Sequence, residues 1–201
     1  MANILNKPQP PALPDPSLGN AYNNVLRLFF NRMTGAFQTL TEPDVAGGGG
    51  RFLYKPHGAF YSDVTQTFAV SNVAQPLTYT TTNLSSGVFL TNNSRLNVTD
   101  DGVFALHVNC HFNTSTGNAS AYIFVQKNGV TLPNTAATRE FNNSVSGSIT
   151  LTEQIALNAG DYIEIAADVD NTSLSLTAEA DDGVHGGVPS VYTTLSFVSN
   201  G

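Results

Sequence analysis

Gly102-Val-Phe104-Ala-Leu106-His-Val108-Asn-Cys110-His-Phe112 is the stretch that decides the fold. Apolar residues occupy every second position, from Phe104 to Phe112, and Ala105, His107, Asn109 and His111 lie between them. Successive side chains of a strand point to opposite faces, so this alternation predicts a long strand with one buried face. Cys110 belongs to the apolar set and reads as a buried structural thiol.

Similar segments follow. Ala121 to Gln126 predicts a strand, and Lys127-Asn128-Gly129 is a hairpin turn in which Gly129 supplies the positive φ. Ile149, Leu151, Ile155 and Leu157 continue the series. Asn158-Ala-Gly160-Asp161 is a second tight turn, leading into Tyr162–Ala166. Ser173–Ala178 and Val191–Val198 complete the set. Short strands with turns every ~8–12 residues predict an all-β sandwich or jelly roll.

Upstream, the chain changes character. Residues 1–18 contain Pro8, Pro10, Pro11, Pro14 and Pro16, which enforce an extended arm that is either disordered or docked on something else. Next, Tyr22, Leu26, Phe29, Met33, Ala36 and Leu40 recur at heptad spacing, and Val25, Phe30 and Phe37 widen the stripe. This predicts an amphipathic helix over residues 20–41, capped by Asn20. Alone, so short a helix is marginal. Its stripe serves either to pack on its own domain or, the reading preferred here, to associate in an oligomer or dock on a partner. Gly47 to Gly50 form a hinge. The expected organisation is an anchoring region over 1–50 and a β domain over 51–201.

Composition narrows the function classes. Charged residues make up 11% of the 201-residue chain, against ~25% in ordinary soluble proteins, so its polarity rests on Asn, Ser, Thr and Gln. The net charge is −7 and the eight basic residues are scattered, which excludes a nucleic-acid footprint. No segment approaches ~18 consecutive apolar residues, so no membrane helix is expected. The first ten residues lack the apolar core of a secretory signal, and the Asn-x-Ser/Thr sequons from Asn83 to Asn171 read as chance products of the composition.

Catalytic chemistry finds no foothold. No Gly-x-Ser-x-Gly, His-Glu-x-x-His or Walker pattern is present. His107 and His111 share a strand face but stand ~13 Å apart, too far to chelate one metal within a chain. Three copies of one histidine on a trimer axis would be needed. Glu179, Asp181 and Asp182 precede Gly183 near His185, and their spacing fits a solvated turn better than a calcium loop. No enzyme activity, cofactor or metal site is expected.

Phe89, Leu96, Gly102, Phe104 and Leu106 stand at the spacing aromatic-x6-Phe-x5-Gly-x-Tyr-x-Phe, which resembles the C1q signature over roughly residues 58–199, with leucines replacing two phenylalanines. The resemblance implies a C1q/TNF-like antiparallel jelly-roll sandwich that works by forming a homotrimer. A second likeness spans nearly the whole chain. The Pro-rich start, the helix segment Asn24–Asn31, His57–Thr67, Asn83–Val88, Leu157–Tyr162 and Pro189–Leu195 together resemble small virion structural proteins of marine bacteriophages. That likeness implies a virion-surface protein assembled in the bacterial cytoplasm, with other virion proteins, above all the major capsid protein, as partners. It implies a capsid decoration or cement protein. The alternative is a tail fibre, adaptor or receptor-binding knob contacting host glycan. The residues expected to matter are Tyr22, Leu26, Phe29, Phe30, Met33, Phe37 and Leu40 for anchoring or oligomerisation. For the fold motif they are Phe89, Leu96, Gly102, Phe104, Leu106, Gly129, Gly160 and Asp161.

Overall fold

A computed structural model describes residues 19–41, 55–115 and 117–199. The chain divides into two compact units, Met1–Tyr54 and Lys55–Gly201. The expected Pro-rich arm and glycine hinge lie outside the described residues.

In the first unit, helix α1 spans Gly19–Thr41. It starts one residue earlier than expected, which places Asn20 inside the first turn rather than at the cap. Leu26, Phe29 and Met33 are half-buried, while Val25, Leu28 and Phe30 are exposed. The Phe29 and Phe30 rings meet edge to face, with centroids 5.7 Å apart. The side chains of Tyr22, Phe37 and Leu40 lie outside the described set.

The second unit is all-β. Its strands are β1 (His57–Ser62), β2 (Gln66–Thr67), β3 (Gln75–Pro76), β4 (Thr81–Ser86), β5 (Val88–Thr91), β6 (Arg95–Val98) and β7 (Gly102–Thr114), then β8 (Ala119–Lys127), β9 (Val130–Thr131), β10 (Ala137–Phe141), β11 (Ser146–Leu157), β12 (Tyr162–Val169), β13 (Leu174–Leu176) and β14 (Val191–Ser199). One sheet runs β4-β1-β14-β7, with β11 on the other edge of β7 and β13 and β2 extending it past the end of β14. The other runs β5-β6-β12-β8-β10, with β3 on β12 and β9 on β8. Every pair is antiparallel.

From β6 the chain crosses to the first sheet for β7, returns for β8 to β10, crosses for β11, returns for β12 and crosses again for β13 and β14. Strands adjacent in the first sheet are therefore remote in sequence, whereas in the second β5 pairs with β6 and β8 with β9. That is the Greek-key order of an antiparallel jelly-roll sandwich. The crossing pattern closes the body over a single core between the sheets. β7 supplies Phe104, Leu106, Val108, Cys110 and Phe112, all fully buried. They share the core with Ile123 and Val125 of β8, Ile163 and Ile165 of β12, and Val191 and Leu195 of β14.

The motif residues fall into place within this frame. Leu96 is buried on β6. Gly102 opens β7, where a Cβ would collide with the Phe197 ring and stand 2.9 Å from the Ser199 carbonyl oxygen. The Phe197 ring in turn meets Phe104 edge to face at 5.7 Å. Gly129 and Gly160 have φ of +79° and +86°, values at which an L side chain is strained. Phe89 differs: it points outward from β5 and is 44% exposed, so it is no part of the core.

Candidate functional site

The two sheets differ sharply on their outer faces. The seven strands of the first sheet contain a single Asp, Glu, Lys or Arg: Glu153, half-buried on the inward-pointing side of β11 opposite Leu106. The strands of the second sheet carry Arg95, Lys127, Arg139, Glu140, Glu164 and Asp168. In a strand the outward residue is free to be charged, because water solvates it. A long five-strand face without fixed charge is thus a feature of its own, and loss of charge is what distinguishes the centre of a protein interface.

Register lays this face out in rows. Leu84, Ala59, Thr194, His107 and Thr152 align across β4, β1, β14, β7 and β11. Tyr61, Tyr192, Asn109 and Thr150 form the next row. Ala59 is only 3% exposed, shielded by its neighbours, whereas Leu84 is 45% exposed. The His107 ring and the Thr152 hydroxyl share a 3.2 Å hydrogen bond. His111 sits further along, its Nε2 buried without a hydrogen bond and 3.5 Å from the Glu179 carboxylate. The two histidines do share a face, as their spacing requires.

Groups with chemical potential elsewhere are built as structure. Burial pushes the Cys110 thiol pKa up, which removes the thiolate a nucleophile needs. Burial also raises the Tyr79 phenol, whose oxygen lies 2.8 Å from the Thr193 hydroxyl. Asp182 accepts from the His185 ring at 2.8 Å and from the N–H groups of His185 and Val184. The ring contact first, then those backbone donors, pulls its pKa down to about 2. The acidic segment is thus a turn folded on itself. Among the described residues no group of three or more His, Cys, Asp or Glu is placed to hold a metal ion. No described helix is long and apolar enough to cross a membrane.

Sequence reasoning missed Ala59, Tyr61, Leu84 and Tyr192. β1 reads His-Gly-Ala-Phe-Tyr-Ser, without a clean alternation, and β1 and β14 lie at opposite ends of the domain in sequence. Only their pairing shows that the two tyrosines are neighbours.

No family model and no curated protein matches the chain. Among solved structures, it is similar to murine APRIL at pH 8.5, with 15% identity and a TM-score of 0.49 over 72% of this chain and 100% of that one. Murine APRIL at pH 8.0 gives 17% and 0.49 over the same shares. At pH 5.0 it gives 14% and 0.48.

Proposed function

We propose that this chain is a non-enzymatic structural subunit of a bacteriophage particle: a homotrimer of jelly rolls, attached to the capsid as a decoration or cement protein by its N-terminal arm and helix. The observation that carries self-association is the uncharged face of the first sheet. Three such faces packed together along the row from Leu84 to Thr152 desolvate hydroxyls, amides and small residues, but no fixed charge, and so avoid the heaviest cost of burial, while Tyr61 and Tyr192 at the end of the β1–β14 pairing stay at the open rim. A stable interface of this kind buries ~2,000 Å² or more. The charged outer face of the second sheet then remains in water.

Attachment through α1 is supported by Val25, Leu28 and Phe30, large apolar residues that are exposed in the first unit. The phage setting rests on the ordered likeness of the sequence pieces given above. A cement subunit would brace its neighbours by binding the assembled shell and not the free capsid subunits, stabilising the shell by mass action.

The test is a solution mass by light scattering, followed by co-sedimentation with undecorated phage shells. A trimer that sediments with shells supports the proposal. A monomer overturns the trimer. A trimer that ignores shells and binds tails or host cells replaces decoration with the tail fibre, adaptor or receptor-binding reading.

A further inference from the structure

At one end of the uncharged face lies a cleft of about 660 Å³, a size suited to a small ligand. Tyr61 and Tyr192, paired across β1 and β14, line it from the sheet. Asp63 and Asn83 line it from one side, Glu179 and Asp181 from the other.

The walls are built closely. Asp63 Oδ1 accepts a 2.7 Å hydrogen bond from the Thr80 hydroxyl. Glu179 and Val188 exchange two backbone hydrogen bonds, of 2.8 and 2.9 Å, which clamp the loop between them. Within that loop Gly187 has no room for a side chain, since a Cβ would stand 2.9 Å from the Glu179 carbonyl oxygen.

We infer that this cleft binds a neutral polyhydroxyl ring, a pyranose of a glycan. Among the described residues the Tyr61 and Tyr192 hydroxyls and the Asn83 amide have no hydrogen-bond partner, so donors and acceptors both stand open. Carboxylates only accept. An organic cation, which only donates, would use the carboxylates and leave the amide and phenol donors idle. A sugar hydroxyl donates and accepts, so it matches the whole set. The apolar C–H face of a pyranose packs on an aromatic ring while its hydroxyls meet the rim. The carboxylates do not need a counter-ion, because solvent screens them: the Glu179 side chain is 58% exposed. They do repel acidic sugars.

The inference stands apart from the particle reading, because the cleft belongs to one body. Its test uses the full chain and NMR amide shifts at Gly186, Gly187, Val188 and Tyr192. The probes are the methyl glycosides of glucose, galactose and mannose, N-acetylglucosamine, sialic acid and arginine amide. At least one neutral pyranoside should shift these amides with millimolar affinity, and sialic acid should not. Tyr192→Ala should weaken that binding about tenfold, and Asp63→Asn and Glu179→Gln about threefold each, in line with losing one ring contact or one charge-assisted hydrogen bond. Gln154→Ala, on the outer face of β11 and away from the cleft, should leave it intact. Each variant is first shown to keep the parent thermal midpoint. No shift from any neutral pyranoside at about a hundredfold the expected dissociation constant overturns the inference. So does shifting by arginine amide alone, or binding unaltered in all three cleft variants. A monomer that binds the sugar supports it while sinking the trimer, and a shell-bound trimer that binds none sinks it alone.

Discussion

The Lys127 ammonium lies 2.8 Å from the Asp161 carboxylate and joins the β8–β9 turn of the second sheet to the β11–β12 connection between the sheets. Lys127 ends β8 and also donates to the Ala156 carbonyl at 2.9 Å. Asp161, one residue before β12, accepts from the Asn128 amide at 2.7 Å and the Asn158 N–H at 2.8 Å. Burial alone would raise its pKa, but Lys127, Asn158 and Asn128 outweigh it and hold the group at about 2. The group is depressed on folding, so its contribution to stability is complete above the unfolded value near ~4 and is lost as pH falls toward 2. Asp161→Asn should therefore cost about 1–2 kcal/mol at pH 7, and its stability should fall less steeply than the parent's between about pH 4 and 2. Urea unfolding at several pH values checks both, and an equal loss at pH 7 and at pH 2 would contradict the assignment.

Gly102 faces the Phe197 ring and the Ser199 carbonyl oxygen so closely that any Cβ must displace one or both. The ring can turn; the carbonyl belongs to the backbone of β14. Gly102→Ala should cost about 1–3 kcal/mol through overpacking. Pairing it with Phe197→Leu should recover only part of that, because the carbonyl stays in place. A double-mutant cycle in denaturant measures the recovery.

Thr194 lies in the middle of the uncharged face, between Ala59 on β1 and His107 on β7. Thr194→Arg should turn the proposed trimer into a monomer with little loss of domain stability, because three guanidinium groups would be forced into a dry contact. Thr138→Arg, on the outer face of the charged sheet opposite Tyr122, should leave the mass unchanged. Light scattering reads both, and a trimer surviving Thr194→Arg means that another surface makes the contact.

Leu26 and Phe29 are half-buried on α1, beside the exposed Val25, Leu28 and Phe30. Replacing Leu26 and Phe29 together with Asp should abolish sedimentation with shells or reduce the mass, depending on which contact the helix makes. Unchanged incorporation and unchanged mass would remove the helix from the anchor.

The core of the β domain was legible in one strand. The alternation from Phe104 to Phe112 named five residues that are all buried, because period 2 on a half-buried strand leaves no other arrangement. The turns were legible for a different reason: Asn128-Gly129 and Gly160 carry positive φ, and few other residues tolerate it. The outward face was not legible. Thr, Ser and Asn outside a strand look the same in sequence whether they meet water or a second copy. Tyr61 and Tyr192 belong to strands whose pairing is set by long-range packing.

The sequence by itself therefore determined that the body is antiparallel β, where its strands turn and which side of β7 is apolar, since each is a local property of backbone and side chain. Tertiary structure alone decided which strands became neighbours. It thereby placed nearly all strand charge on one sheet, left the other neutral, and closed a cleft around two tyrosines from opposite ends of the domain. Such placements depend on contacts between residues far apart along the chain, and no local pattern encodes them.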